Sequence, residues 1–409
     1  MRLRLRSDVP VGAYLSGGLD STLIAALIRR VSCKPLKTFS VSFEHSEFDE
    51  SPFQRQVASY LGTEHEEVRC TTTEIGVAFP RVMWHTERPI LQTAPAPLFL
   101  LSELVRDQGY KVVLTGEGAD EMLAGYDIFK IAKIRRFCAR NPESRLRPLL
   151  LRRICPYLPN LQAQSDAYLR EFFRVRPGEE QSPIFSHLLR WELTSKLKLF
   201  FSDDVQNALR HYDTYSHLLS ALPPEYQEWN WLNRAQYLEA EYLLPGYILS
   251  SQGDRMAMAH SVEGRFPFLD HRIAEFAAAL PAKLKIQALT EKYLLRRCGE
   301  GLVPNMILRR VKQPYRAPEA VSLLRTEYAA ELLRPERIRQ DGVFCAPAVE
   351  RLRKKLRQGH SIGMRDNMAF VGILSTQILI DQFIRYARND SPVYCEQFFV
   401  WQGERSLRQ

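Results

Sequence analysis

The chain has 409 residues, 45% of them hydrophobic and 25% charged, with a formal net charge of +9. That apolar share fills a sizeable core over two or three structural units and excludes wholesale disorder. No apolar run reaches the about 18 residues of a membrane span, no leader pattern opens the chain, and the seven scattered cysteines lack a C-x-x-C pair. These features exclude a zinc ribbon and a disulfide scaffold and fit a reduced, cytoplasmic setting.

In chain order, Val9–Leu15 is a short apolar strand that runs into a glycine loop, and Thr22–Val31 follows as a helix. Leu36–Phe43 alternates as a strand. Ser51–Leu61 has helical periodicity, with Gly62 as its C-cap. Glu64–Arg69 reads as a short strand, Pro97–Arg106 as a helix and Lys111–Thr115 as a strand. Gly116–Tyr126 is a second glycine turn opening a helix. Strands alternating with helices predict an α/β fold with a doubly wound parallel sheet. Beyond about residue 127 strand signals fade and helical, proline-broken stretches dominate, least regular over 134–185. The expected divisions are an α/β core over 1–130, an arginine-rich helical insertion over 131–230, further substrate- and phosphate-side residues over 231–320, and a helical tail over 321–409.

The excess positive charge is densest at 134–153, with Arg135, Arg136, Arg140, Arg145, Arg147, Arg152 and Arg153. No nucleic-acid-binding motif accompanies it, so a solvated helical face or a partner contact is expected rather than nucleic acid.

The first chemical motif is Leu15–Ser16–Gly17–Gly18–Leu19–Asp20–Ser21, between a strand and a helix. Its glycines allow close backbone approach to a ligand, and the helix start offers free N–H groups to an anion. It lacks the Lys of the NTPase P-loop and the third glycine of the dinucleotide fingerprint. The second is Thr115–Gly116–Glu117–Gly118–Ala119–Asp120–Glu121, in the same strand–turn–helix setting. Its three acids call for a positive partner. Asp20 and Asp120 would both lie at carboxyl ends of parallel strands, and Mg²⁺ is commonly held by one or two carboxylates plus phosphate oxygens. For Glu121 an acidic residue complementing a helix dipole is an equal alternative. Two further clusters, Gly253–Met258 with Asp254 and Arg255, and Glu291–Lys292–Tyr293 with Arg309, Arg310 and Lys312, would form the cationic side of an ATP site.

Together these clusters resemble the synthetase domain of glutamine-dependent asparagine synthetases, in the ATP-pyrophosphatase (adenine nucleotide alpha hydrolase-like) group. The resemblance rests on Asp8–Ser21, Thr38–Ser51, Val113–Tyr126 and Gln252–His271. It implies that Leu15, Val41, Thr115 and Gly116 contact the nucleotide through backbone groups and that Ser16–Ser21, including Gly17 and Gly18, cradle the pyrophosphate. It implies Mg²⁺ on Asp20 and Asp120, and Glu117 and Tyr126 beside the reacting carboxylate and amine. Asp254 and Arg255 would lie near substrate and phosphates, and Lys312 would stabilise the activated intermediate. The implied reaction joins aspartate and ATP into β-aspartyl-AMP and pyrophosphate, after which ammonia displaces AMP.

Two departures stand out. Full-length members begin with a glutaminase domain headed by a cysteine, whereas position 2 here is Arg2 and the first strand follows within a few residues. Glutamine hydrolysis is therefore not expected of this chain alone: ammonia or a separate glutaminase partner would supply nitrogen, or the sequence is a fragment of a longer protein. Ala124 stands where the family usually has glycine. Three readings follow: an aspartate-amidating ligase; a relative acting on another carboxylate or closing a cyclic amide; and a scaffold subunit awaiting a glutaminase. A homodimer is left open.

Overall fold

The computed structural model describes residues 1–358 and 363–385. Five parallel strands form one sheet in the order β3-β2-β1-β4-β5. They are β1 Val11–Tyr14, β2 Lys37–Phe43, β3 Glu64–Cys70, β4 Val112–Leu114 and β5 Glu263–Arg265. The predicted doubly wound α/β class holds. β2 is buried along nearly all its length, as an inner strand covered on both faces must be. β3 carries Glu64, Glu66, Glu67 and Arg69, the charged dress of an edge strand.

Helices cover both faces. Helix α1 (Leu19–Val31) and α2 (Ser51–Leu61) pack Leu23, Ile24, Val57 and Ala58 against Ala13, Leu15 and Leu114. Helix α3 (Thr72–Thr86) and α4 (Pro95–Asp107) pack Ile75, Phe79, Phe99 and Val105 against Phe39, Val41 and Val113 on the other side. Helix α2 ends at Gly62 in the left-handed region (φ 61°), the predicted cap.

The structure corrects several expectations. Helix α1 begins three residues before the predicted start, which puts Asp20 and Ser21 in its first turn. Helix α3 was not foreseen, although its capping box is legible: the Thr71 N–H donates to Glu74 Oε2 at 2.8 Å and the Glu74 N–H to Thr71 Oγ1 at 3.1 Å. Strand β5 also escaped, because three residues carry no periodicity. It extends the sheet with residues far beyond 130, and the Thr115 N–H donates to Arg265 O at 3.0 Å.

The helices Ala346–Arg357 and Met364–Leu379 send Val349, Leu352, Phe370 and Leu374 into the α3/α4 core. The stretch Met364–Arg385 is long and apolar enough to cross a membrane by length and composition, against the expectation of no such run. Half of its most apolar window is buried in the protein, as in a core helix.

The arginine-rich segment is less solvated than predicted. Arg135 is only 3% exposed. It donates to Phe173 O at 3.2 Å and Arg174 O at 3.3 Å and pairs with Glu179. Arg152 bonds Asp166 and Gln162 O, and Arg147 caps the Phe137 carbonyl at 2.8 Å. In a region of short helices with small apolar clusters, guanidinium groups tie carbonyls that helices leave open. Cys33, Cys70, Cys138, Cys155, Cys298 and Cys345 are free thiols; Cys395 lies outside the described residues.

Candidate active site

The order of the sheet changes direction beside β1, which has β2 on one side and β4 on the other. Ligands of open α/β sheets bind in the crevice outside the carboxyl ends at such a switch point. Both glycine motifs leave there, one from β1 and one from β4.

Beyond β1, Ser16–Gly18 turn into α1. Gly17 sits at φ 70°, and a Cβ there would meet Phe53 Cβ at 2.9 Å, so only glycine fits. Ser16 and Ser21 hydroxyls lie 3.0 Å apart, and the Ser16 N–H donates to Ser21 Oγ at 3.1 Å. No side chain caps the helix start at Gly18. Its first-turn N–H groups and dipole therefore present an anion site.

Beyond β4, Gly116 brings the second loop against the first: a Cβ on it would stand 2.9 Å from Asp20 Cβ. Gly118, at φ 91°, has no room for a Cβ beside Leu269. The short helix α5 (Ala119–Leu123) follows and carries Asp120 and Glu121.

Asp20 and Asp120 are 7% and 8% exposed, and lysines hold both. Lys292 Nζ is 2.5 Å from Asp20 Oδ2 and 2.6 Å from Asp120 Oδ1, while Lys312 Nζ is 2.9 Å from Asp120 Oδ2. Burial raises the Asp120 carboxyl, but the two ammonium groups outweigh it and hold the group at about 2. Burial alone would depress Lys312; Asp120 and Asp20 reverse this and hold its pKa above the ordinary lysine value. The half-buried Glu117 lies in the field of Lys312 and Asp20, and burial raises its pKa. Its Oε2 is buried without a hydrogen-bond partner, as is Asp20 Oδ1.

Members of the Glu291–Lys292–Tyr293 and Arg309–Lys312 cluster, given no individual role in the sequence, complete the site. Arg310 donates to Gly17 O at 2.8 Å, pairs with Glu50 and lies 3.9 Å over the Phe53 ring. Glu291 accepts the Lys312 N–H at 3.3 Å and pairs with Lys130 at 3.3 Å. Lys292, Arg310 and Glu291 stood in or beside the fourth cluster, and Glu50 within Thr38–Ser51, so the signal was present. What the sequence does not carry is the pairing across 161 to 293 positions.

Other predicted residues are placed differently. The Tyr126 hydroxyl donates to Glu121 Oε1 at 2.7 Å rather than to Glu117. Glu121 is 1% exposed and stands in the first turn of α5, where an acid meets the helix dipole; burial and the neighbouring Asp120 push it up to about 7. Leu15 and Thr115 spend their N–H groups on Phe39 O and Arg265 O, and the Val41 carbonyl accepts from Gln54 at 3.0 Å. Arg255 donates to His85 O at 2.9 Å and pairs with Glu87 at 2.8 Å, at the end of α3. Asp254 closes the π-helical stretch Glu239–Asp254 and lies beside Gly264 of β5. Among the described residues, neither side chain is bonded to the two glycine loops.

Two cavities of about 450 and 500 Å³ open beside Leu3 and Arg4, one against β5 and one against Asp270, not over Asp20. Donor chemistry marks the site better than cavity size does, since Lys292 fills the space between the two carboxylates. Among the described residues no group of three or more acidic, histidine or cysteine side chains gathers to hold a metal alone. The carboxylates of Asp20 and Asp120, with the bare Asp20 Oδ1, suit a Mg²⁺ that phosphate oxygens complete.

A parallel sheet with this switch point and glycine loops at its carboxyl ends define an open, doubly wound α/β protein, and the family it matches places it in the ATP-pyrophosphatase, or PP-loop, class. A family model described as asparagine synthase matches residues 1–381, and the chain belongs to that family. It is 32% identical over 323 residues to "Asparagine synthetase [glutamine-hydrolyzing] 1" of Bacillus subtilis (strain 168), covering 78% of this chain and 48% of that protein. It is 34% identical over 323 residues to the "Putative asparagine synthetase [glutamine-hydrolyzing]" of Mycobacterium tuberculosis (strain ATCC 25618 / H37Rv), covering 77% and 46%. "Amidase chyE" of Penicillium rubens is 29% identical over 346 residues, covering 78% and 51%. The chain thus spans about half the length of these relatives.

Proposed function

We propose that the chain is an AMP-forming carbon–nitrogen ligase that activates a carboxylate, aspartate first, and amidates it with ammonia. The observation that carries this reading is the convergence of Asp20, Asp120 and Lys312 on the crevice at the sheet's switch point, beside an uncapped helix start. The Ser16–Ser21 loop would take the β- and γ-phosphates, leaving the α-phosphorus open to a carboxylate oxygen. That oxygen bonds to the α-phosphorus as the bond to the β-phosphate oxygen breaks, and pyrophosphate leaves. Ammonia then attacks the acyl carbon, and AMP departs with the electron pair of the broken carbon–oxygen bond.

In this scheme Lys312 offsets negative charge on the leaving pyrophosphate or on the tetrahedral adduct. Glu117, its pKa raised by burial, accepts the proton that the attacking nitrogen sheds. Leu15, Val41, Thr115 and Gly116 would line the nucleotide side, and Asp254 and Arg255, now engaged away from the glycine loops, would serve the substrate and phosphate side. Asp20 and Asp120 would hold Mg²⁺, which supplies charge neutralisation for the phosphates when bound. The free thiols fit a reducing, cytoplasmic compartment.

The test is product analysis with Mg·ATP, ammonium and single carboxylic acids. Aspartate is expected to give equal amounts of AMP and pyrophosphate, and Asp20→Ala to abolish both in a folded protein. Release of ADP and phosphate instead would overturn the AMP-forming assignment. The amidase-named relative favours one second reading, a different carboxylate substrate. Pyrophosphate release with another acid but not with aspartate would select it.

A further inference from the structure

We infer that Lys292 is an internal stand-in for the metal, keeping bare divalent cations off Asp20 and Asp120 until nucleotide arrives. The inference rests on the nucleotide reading above and deepens it. Lys292 is 2% exposed, and its ammonium bridges two carboxylates from different loops at 2.5 and 2.6 Å. Three features serve that one position. Lys292 has φ 51° and ψ 36°, a left-handed conformation uncommon for a residue with a side chain. Gly125 leaves the space: a Cβ there would lie 2.1 Å from Lys292 Cε and 2.0 Å from Asp120 Oδ1. And the bare Asp20 Oδ1 beside the bridge is a ligand position that the lysine does not use.

An ammonium and a Mg²⁺ cannot share that space. Mg²⁺ binds oxygen at about 2.0–2.1 Å, so to bridge from the bare Asp20 Oδ1 to the second loop it would need an Asp120 oxygen, and Lys292 holds Oδ1 and Lys312 Oδ2; the cations repel. Without nucleotide the lysine's ion pairs, among the described residues, are with these two carboxylates. Phosphate oxygens would supply one, so that Lys292 moves onto the nucleotide as metal enters with it. Lys292 is in this view a positioning residue that makes metal binding depend on nucleotide.

The experiment uses Mn²⁺ alone as probe, followed by calorimetry and by electron paramagnetic resonance of the free ion, on the full chain. Wild type is expected to bind Mn²⁺ weakly without nucleotide and at least about tenfold more tightly with a non-hydrolysable ATP analogue. Lys292→Met is expected to bind Mn²⁺ without nucleotide at least about tenfold more tightly than wild type and to gain melting temperature from it. Adding Asp20→Asn should remove that gain, and Lys292→Arg should bind as weakly as wild type. Unchanged nucleotide-free binding in Lys292→Met would overturn the inference. If that variant does not fold, wild type decides: Mn²⁺ affinity equal with and without the analogue overturns it. Failure of the ligase reading would appear separately, as absent pyrophosphate release with this binding pattern intact.

Discussion

Lys312 Nζ reaches 2.9 Å from Asp120 Oδ2, joining the segment after the helix Asn305–Arg309 to the loop beyond β4. Its side chain keeps 27% exposure while Asp120 is nearly buried, so part of its length faces solvent while the ammonium is held at the carboxylate. A charge so placed can follow a phosphate without unfolding the core. Lys312→Met is expected to lower pyrophosphate release by about 100-fold or more, the loss typical of one transition-state donor, with an unchanged melting midpoint within a few degrees. Steady-state release assays with thermal melts check both; retention of wild-type turnover would remove Lys312 from the chemistry.

Gly125 and Ala124 make a paired test of the second loop. Gly125→Ala forces a methyl group onto Asp120 and Lys292 and should cost about 1–3 kcal/mol, the usual penalty of overpacking, together with activity. Ala124 is at φ 58° and fully buried, in a conformation where glycine carries no Cβ penalty. Ala124→Gly is expected to stabilise by up to about 1 kcal/mol, part of the relief being offset by the freer unfolded chain. Urea unfolding of both variants reads the opposite signs.

Lys285 is 1% exposed and donates to Gln236 Oε1 at 2.8 Å and Asn233 Oδ1 at 3.1 Å, with no carboxylate partner among the described residues. Burial depresses its pKa to about 8. Because the folded value lies below the unfolded one, the buried charge destabilises the fold below pH 8. That penalty fades as pH rises from about 8 to 10.5, where the unfolded chain binds the extra proton. Stability should therefore carry a rising contribution of roughly 3 kcal/mol across that window. Lys285→Met should flatten it, as denaturant titrations at several pH values would show.

Arg135 predicts a contrast within the arginine-rich segment. Arg135→Met leaves Glu179 and the carbonyls of Phe173 and Arg174 without their donor and should cost about 3 kcal/mol or more. The exposed Arg140 should tolerate alanine within about 0.5 kcal/mol. Equal effects in urea unfolding would mean that Arg135 is not a staple.

Local patterns carried much of this protein. The glycines at 17, 18, 116 and 118, each followed by a helix, marked two loops before any coordinates, because a tight turn at a strand end leaves a composition signature. The cap at Gly62 was legible for the same reason. Strand β5 was not, since three residues pair only because β4 is already there. Nor was the inward turn of Arg135, which depends on which helix ends fall nearby.

By itself the sequence determined the class of fold and the two loops, because strand–loop–helix units are local and their periodicity is written in neighbouring residues. Only the tertiary structure decided that Lys292 stands between Asp20 and Asp120, that Arg310 holds Gly17, and that Tyr126 turns to Glu121. Those contacts join segments brought together by the sheet order and by desolvation, which buries a carboxylate only where a cation or a hydroxyl arrives to meet it.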